Sequence, residues 1–295
     1  MTGGARASSS GHPIAEDSGG FTPPTESVPT TGRRAIVSLD RLVDGVISVM
    51  LAIALLLLAE YAANREWVNS LILPTPSSVW HALVDGFERG IYWRHIRSTV
   101  FATLAGFGSA ALIAMVVAGI LSAVPRLERI FLPFIVAFQT LPKIAVAPII
   151  ILWLGFGTQS KVVIIATICF FPILVNALQG LRIRDRERLE LFRSLGASRW
   201  QLFRFLRLPD SLPYVFAGLN IGIVFALIGT VIAEFLGSRD GLGVFLIQQQ
   251  AAFNVPGMFA ALLLLMVVGL VLNGTVRLIE RKVVFWAADL SAGHS

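Results

Sequence analysis

The chain has 295 residues, of which 55% are hydrophobic and 14% are charged, whereas soluble domains carry about 25% charged residues. Its mean hydropathy of +0.76 and its long apolar runs exclude an ordinary soluble domain and indicate a helical membrane protein. The net charge of +6 comes from arginines that flank the apolar runs, which indicates membrane topology rather than nucleic-acid binding.

The N-terminal residues 1–35 are rich in Gly, Ser, Thr and Pro and contain almost no large apolar side chains. This composition predicts a disordered cytoplasmic tail, because such a segment cannot bury enough apolar surface to fold. The tail does not have the pattern of a secretory signal, since the first apolar run begins only near Val43.

Hydropathy along the rest of the chain predicts about six membrane-spanning helices, and therefore an all-α, polytopic membrane protein. The predicted spans are 43–62, 98–123, 130–154, 162–180, 212–236 and 257–279. The chain is accordingly divided into the tail 1–35, a first helix with an external segment at 36–97, a core at 98–285 and a cytoplasmic tail at 286–295. The single cysteine, Cys169, lies inside an apolar run and is predicted to be a core residue without a disulfide partner.

Lysine and arginine are distributed unequally between the segments that flank these spans. If the N-terminus is cytoplasmic, the cytoplasmic segments hold 17 of these residues and the external segments hold 6. Cytoplasmic loops of membrane proteins carry an excess of positive charge, so this distribution predicts that both termini lie in the cytoplasm. The larger external segments are then 63–97 and 237–256.

Prolines interrupt the third span, which predicts that it lies in the protein interior or along a solute pathway, because proline frees backbone carbonyls that hydrocarbon cannot satisfy. Lys143 falls within this span, and a charge there normally faces a cavity or a partner. We therefore consider it a candidate for contact with an anionic solute. The alternatives are pairing with a carboxylate, stabilisation of carbonyls freed by Pro142, or a position nearer the interface. Gln139 and Thr140 are weaker pathway candidates.

Two features of the fifth span also predict contacts. Gly218 and Gly222 form a pair of small residues four positions apart, with Asn220 between them. Such a pair favours close helix packing and is a candidate subunit contact. Glu234, near the outer end of the span, is predicted to be a gate or a structural ion pair rather than part of the transport chemistry.

The loop 181–211, between the fourth and fifth spans, is predicted to fold rather than merely connect. Asp185 suits the N-cap of a first short helix. Its apolar residues recur at helical spacing, at Leu189, Phe192 and Leu195. Gly196 then suits the left-handed position at which helices end.

A second short helix is predicted to follow, with Ser198 as its N-cap. Its apolar stripe would consist of Leu202, Phe203 and Leu206. Pro209 and Pro213 are expected to separate this helix from the fifth span. The resulting amphipathic helix pair could contact anionic lipid headgroups or dock a soluble partner, and physical arguments alone leave both possibilities open.

The spacing of this loop resembles the cytoplasmic coupling motif of ABC-importer permeases. That motif has a glutamate, a glycine six residues later, and then an aliphatic residue and Leu-Pro at fixed spacing, which here are Glu190, Gly196, Leu206, Leu208 and Pro209. The resemblance implies that the loop docks on an ATPase subunit. The residues that it assigns to the docking contact are Glu190, Leu191, Phe192, Gly196, Ala197, Ser198, Leu206, Leu208 and Pro209.

One pair of residues departs from this motif. The family has two alanines directly after the glutamate, where this chain has Leu191 and Phe192. Because alanines allow the ATPase to approach closely, the bulkier pair is expected to change the local packing at the docking contact.

Further segments resemble the subfamily that serves nitrate, sulfonate, taurine and related small solutes. They are 73–77, 141–148, 152–157, 160–161, 171–173, 233–234 and 241–243. The resemblance covers roughly 71–285 and implies the type I ABC-importer permease fold, in the inner membrane of a bacterium. It also implies two ATPase copies, an extracytoplasmic binding protein and a second permease copy, with which the chain would form a homodimer surrounded by membrane lipid.

The chain has no phosphate-binding loop, because its three lysines, Lys143, Lys161 and Lys282, do not follow a glycine. We therefore expect a transporter subunit rather than an enzyme, with no catalytic residue and no metal site. It is expected to bind no cofactor, because ATP and magnesium would be held by the partner ATPase. Nucleic acid is not expected as a partner.

The resemblance implies import of a small, anionic solute such as a sulfonate, taurine or nitrate. The same machinery could import another small solute, such as a pyrimidine vitamin precursor. A secondary transporter or channel without an ATPase is the alternative of a different class, and the coupling motif argues against it. An intramembrane enzyme is disfavoured, because the predicted spans contain no Ser/His pair, paired aspartates or metal-ligand cluster.

Overall fold

The computed structural model describes residues 73–182 and 186–286, together with scattered positions between 46 and 65. The chain divides into two units, 1–55 and 56–295. In the first unit the described positions, between 46 and 55, are helical. The predicted tail 1–35, most of the first predicted span and the C-terminal tail from 287 lie outside the described residues, so the domain division remains a prediction.

The second unit consists of α-helices and short connections. The helices are α1 (Pro76–Glu88), α2 (Ile91–Ala123), α3 (Pro125–Thr140), α4 (Lys143–Leu154), α5 (Thr158–Leu181), α6 (Arg186–Ser194), α7 (Arg199–Leu202), α8 (Leu208–Phe235), α9 (Leu242–Ala251) and α10 (Val255–Val283). A five-residue π-helical turn, Phe203–Arg207, joins α7 to α8. The part of the chain that the structure describes contains no β-strand, which confirms the all-α prediction.

In the described part of the chain, four helices are long and apolar enough to cross a membrane: Ile91–Ala123, Thr158–Leu181, Arg199–Phe235 and Val255–Val283. A fifth span is present if α3 and α4, which meet at an angle of 91°, are counted as one broken span. These elements correspond to the second to sixth predicted spans. The third span was predicted as one helix at 130–154, and the structure instead bends it sharply between Thr140 and Lys143.

Helix α5 is the centre of the bundle and packs between α2 and α8. Its inward side chains are fully buried, and Cys169 is among them, as predicted. A Cβ on Gly218 would lie 2.8 Å from Asn176 Cβ, and one on Gly222 would lie 2.8 Å from Ile173 Cδ1. The predicted close packing is thus confirmed. These glycines face α5 of the same chain, so the prediction of a subunit contact at this pair is wrong.

The fifth span differs from its prediction at its beginning. Pro209 and Pro213 were expected to separate the second loop helix from the span, but helix runs without interruption from Arg199 to Phe235. The π-helical turn explains the continuity, because the Leu208 N–H donates to the carbonyl of Phe203, five residues earlier. This wider turn accommodates Pro209, which lacks an N–H and would crowd the preceding turn of a regular α-helix.

Candidate functional site

The turn between α6 and α7 has the conformation that its sequence predicts. Gly196 adopts a left-handed φ of +74°. Its N–H donates to the carbonyl of Arg193 at 3.0 Å, and the N–H of Ala197 donates to the carbonyl of Phe192 at 3.0 Å. These bonds satisfy carbonyls that the end of α6 would otherwise leave unpaired, so Gly196 ends the helix as expected.

The start of α7 is held by a reciprocal pair of hydrogen bonds. Ser198 Oγ accepts from the Gln201 N–H at 3.3 Å, and Gln201 Oε1 accepts from the Ser198 N–H at 2.7 Å. This capping box confirms the predicted cap at Ser198. Leu202 and Leu206 are buried, so the predicted apolar stripe anchors the second helix to the bundle.

Residues 186–209, which we call the docking segment, carry large apolar side chains on their outward surface. Leu191, Leu195 and Trp200 are exposed by 57%, 76% and 65%. Leu195 was predicted to share the apolar spacing of Leu189 and Phe192, but it directly follows the last residue of α6, Ser194, and its side chain is exposed. An exposed apolar surface of this kind is typical of a contact with another protein or with a membrane.

The remaining residues assigned to the docking contact lie around this surface. Glu190 is exposed, and Phe192 and Ala197 are partly buried. Leu208 and Pro209 form the first turn of α8, where Leu208 is exposed and Pro209 is partly buried. Of the two residues that depart from the family motif, Leu191 therefore adds to the outward surface, whereas Phe192 turns partly inward.

The second candidate region is the break between α3 and α4. Thr140 is the last residue of α3, and Lys143 is the first residue of α4. Lys143 was expected within a continuous span, and this expectation is wrong, because Leu141 and Pro142 adopt non-helical backbone conformations between the two helices. Residues that precede a proline are biased towards extended conformations, which accounts for the break.

The three predicted pathway residues lie at the break. Lys143 Nζ donates to the carbonyl of Gln139 at 3.3 Å and lies 5.4 Å from the centre of the Phe171 ring on α5. In a continuous helix that carbonyl would accept from the backbone N–H of residue 143. The lysine therefore donates to a carbonyl that the break at Leu141 and Pro142 leaves without its helical partner, which corresponds to the predicted alternative of carbonyl stabilisation. Gln139 and Thr140 are both exposed.

A third region contains polar residues whose arrangement the sequence did not reveal. Glu234 is 2% exposed. Its Oε1 accepts from Thr99 Oγ1 at 2.8 Å and its Oε2 accepts from the Gly243 N–H at 2.8 Å. Thr99 Oγ1 in turn accepts from the Leu242 N–H at 2.9 Å. The carboxylate of Glu234 therefore links α2 and α8 to the start of α9.

Among the described residues, Glu234 forms no salt bridge within 4.0 Å, so the predicted alternative of a direct ion pair is not observed, and the alternative of a gate stays a prediction. Hydrogen bonds from a hydroxyl and a backbone N–H satisfy it instead. The sequence contains a signal for this arrangement, namely Glu234 followed by Gly241 and Gly243. The identity of its partner on α2, however, depends on the tertiary fold.

The turn between α8 and α9 also has contacts that do not involve the Glu234 carboxylate. The carbonyl of Asp240 accepts from Lys161 Nζ at 3.0 Å and from Ser98 Oγ at 3.0 Å. The Asp240 carboxylate pairs with Arg94, and His95 Nδ1 lies 2.9 Å from the carbonyl oxygen of Gly241. The turn is thus fixed to α2 and α5, at the end of α8 opposite to the docking segment.

The chain is similar to known components of membrane transport systems. Residues 110–285 match a family described as the binding-protein-dependent transport system inner membrane component. The chain is 38% identical over 220 residues to the riboflavin transport system permease protein of Chloroflexus aurantiacus, with 75% of this chain and 82% of that protein covered. It is 33% identical over 215 residues to the formylaminopyrimidine transport permease protein of Halalkalibacterium halodurans, with 73% and 86% covered.

Two further similarities bear on the subfamily and on the fold. The taurine transport system permease protein of Escherichia coli is 27% identical over 234 residues, with 77% of this chain and 85% of that protein covered. Among solved structures, an inward-facing MetNI methionine ABC transporter aligns with a TM-score of 0.56 and 21% identity, and 66% of this chain and 98% of that chain are covered.

Proposed function

The chain belongs to the family of binding-protein-dependent transport system inner membrane components, the permeases of ABC importers, and on that premise we propose that its docking segment couples it to an ATPase. It is a multi-pass membrane protein and a transporter subunit rather than an enzyme, and ATP hydrolysis belongs to a separate subunit. The family expected from the coupling motif is therefore confirmed, whereas the coupling role of individual residues is part of the proposal.

The observation that supports coupling is the continuity of helix from the docking segment into the bundle. Residues Arg199–Phe235 form one helical rod, which at about 1.5 Å per residue is about 55 Å long. One end carries the exposed surface of the docking segment, and the other end carries Glu234, which holds the turn between α8 and α9. A displacement imposed by an ATPase at the first end would reach the second end without passing through a flexible joint.

In the proposed mechanism, two ATPase copies dock on two copies of this chain, one on each docking segment. Closure of the ATPases on ATP favours the outward-open arrangement of the spans, and their opening favours the inward-open arrangement. The docking segment lies on the cytoplasmic side, as its arginines predict, with both chain termini on that side. The turn at 237–241 then lies on the external side, where the binding protein delivers the solute.

Two classes of solute fit this proposal, and different observations support them. A small anion such as a sulfonate, taurine or nitrate is supported by Lys143 at the break between α3 and α4 and by the taurine permease at 27% identity. A vitamin or vitamin precursor with an aromatic ring is supported by the higher identities of 38% and 33% to the riboflavin and formylaminopyrimidine permeases.

The proposal is tested by uptake into lipid vesicles that contain this chain, a partner ATPase that co-purifies with it and the cognate binding protein. We expect uptake to require ATP on the side of the membrane where the docking segment lies. Uptake should persist when ion gradients are collapsed. Uptake that is driven by an ion gradient and does not depend on ATP would instead indicate a secondary transporter. Screening solutes against the binding protein identifies the compound to supply.

A further inference from the structure

An open cavity of about 530 Å³ lies between α2, α3 and α5, next to the break in the third span, and Phe134 and Phe138 in its wall are exposed by 58% and 54%. Its volume falls in the range of about 300–1,000 Å³ that is typical of sites for small organic ligands. Five phenylalanines line it, namely Phe131, Phe134, Phe138, Phe170 and Phe171, and the rest of its wall is aliphatic. A wall so rich in aromatic rings distinguishes this cavity from an ordinary gap between helices.

The phenylalanine rings of the wall include one nearly parallel pair and one pair that meets edge to face. Phe138 on α3 and Phe171 on α5 are nearly parallel, with an interplanar angle of 17° and ring centres 6.4 Å apart. Phe170 meets Phe171 edge to face, at an angle of 81° and a distance of 5.1 Å. Helix α3, which ends at the break, and helix α5 thus contribute ring faces of similar orientation, and a planar molecule can stack against such faces.

Polar groups lie beside this aromatic wall and not within it. Lys143 Nζ lies over the face of the Phe171 ring, 5.4 Å from its centre, and Gln139 directly follows Phe138 in the sequence. The ammonium group donates one hydrogen bond, to the carbonyl of Gln139, and among the described residues its other two protons have no acceptor. The cavity therefore combines an apolar, aromatic wall with a cation at one side.

We propose that this cavity, defined by Phe138 and Phe171 with Lys143 at its side, binds a planar heteroaromatic solute during transport. The ring stacks on the phenylalanines, and an electronegative edge, such as a ring carbonyl or an acidic substituent, faces the ammonium group. This inference rests on the proposed function, because it assigns a substrate class to the pathway residues of an importer.

The chemistry of the wall argues against a small anion and against a lipid acyl chain as the occupant. A sulfonate or nitrate has little or no apolar surface, and entering an almost wholly apolar cavity would remove its hydration without replacement. A lipid acyl chain would fill the cavity, but it would use neither the parallel ring faces nor the nearby cation. A planar heteroaromatic molecule uses all three features, since its faces are apolar and its edge is polar.

The test is binding of lumiflavin, a planar fluorescent heteroaromatic compound, to the full chain in lipid nanodiscs. Phe138→Leu and Phe171→Leu keep the wall apolar but remove the ring faces, and each should weaken binding by about tenfold. Phe225→Leu is the matched control, because Phe225 lies on α8, outside the cavity, and is itself partly exposed. This control should change the dissociation constant by less than about twofold.

Taurine should not compete with lumiflavin. Brominated lipid acyl chains should not quench the fluorescence of lumiflavin that is bound in the cavity. The proposal is overturned if wild-type chain does not bind lumiflavin, if the two leucine variants bind as the wild type does, or if taurine displaces it. Co-purification of the ATPase is measured on the same samples. Loss of lumiflavin binding with intact ATPase association rejects only the substrate class, whereas failure of the ATPase to associate rejects the proposed function.

Discussion

Gly241 lies directly against the carboxyl group of Glu234, so closely that a Cβ at position 241 would overlap it. The turn between α8 and α9 therefore wraps around a buried carboxylate at the end of the rod that begins in the docking segment. Gly243 donates its N–H to the same carboxylate at 2.8 Å. A single continuous helix therefore connects this contact to the proposed site of ATPase docking at the opposite end of the bundle.

The first prediction concerns this contact. Gly241→Ala should destabilise the protein by about 1–3 kcal/mol, because the new methyl group must displace the Glu234 carboxyl from a packed site. The φ of +143° at this position adds backbone strain for any residue with a side chain. The measurement is the thermal unfolding midpoint of the purified chain. Gly108→Ala is the control, since a Cβ there meets no atom within 4 Å, and it should leave the midpoint unchanged or slightly raised.

Replacing Glu234 distinguishes the role of the turn between α8 and α9 from the role of the docking segment. Glu234→Leu removes the acceptor of the Thr99 hydroxyl and of the Gly243 N–H, and each unsatisfied buried group costs about 1–3 kcal/mol. We expect ATP-dependent uptake to fall at least tenfold while the ATPase still co-purifies, because the docking segment is at the other end of α8. Glu234→Gln should retain part of the activity. An equal loss of ATPase association would contradict the proposed separation.

Gly196 has an internal control in this chain. Gly196→Val forces a β-branched residue into a left-handed conformation, at a cost of about 1–3 kcal/mol. Gly90→Val creates the same strain, because Gly90 has a φ of +69°, compared with +74° at Gly196, and neither glycine has an atom within 4 Å of its added Cβ. Gly196→Val should abolish ATPase co-purification and uptake, whereas Gly90→Val should preserve ATPase co-purification. Equal effects of the two variants would mean that strain alone is responsible.

The exposed surface of the docking segment is tested with a charge. Leu195→Glu should change the free energy of unfolding by less than about 0.5 kcal/mol, because the side chain is 76% exposed. It should nevertheless weaken binding of the ATPase by about tenfold or more, since it places a charge in an apolar contact. The affinity of the isolated ATPase for the chain in nanodiscs provides the measurement. Leu195→Met retains the apolar contact and should bind within about twofold of the wild type.

Lys143 is tested for a role in the solute path. Lys143→Met keeps an unbranched side chain that is one atom shorter and removes its charge, so it should weaken the apparent affinity of uptake several-fold if the ammonium group faces the solute. Lys282→Met, at the exposed end of α10, removes the same charge elsewhere and should have no effect. Unchanged affinity and rate in the Lys143 variant would leave the lysine with its observed contact to the Gln139 carbonyl and no role in solute binding.

The features that the sequence predicted correctly depend on interactions within a few residues. Apolar runs mark the spans because only long apolar helices are stable in hydrocarbon. Gly196 ends its helix in the left-handed conformation and Ser198 caps the next one, because both effects arise between neighbouring residues. The spacing from Glu190 to Pro209 is a local pattern of the same kind, and it was sufficient to indicate the family.

The features that only the tertiary structure decided depend on residues far apart in the chain. The π-helical turn carries helix past Pro209, because buried Leu202 and Leu206 hold the helix against the bundle. Glu234 takes a hydroxyl on α2, 135 residues away, as its partner. No local pattern specifies that pairing, because a buried carboxylate accepts from whichever donors the packing of α2, α8 and α9 places beside it.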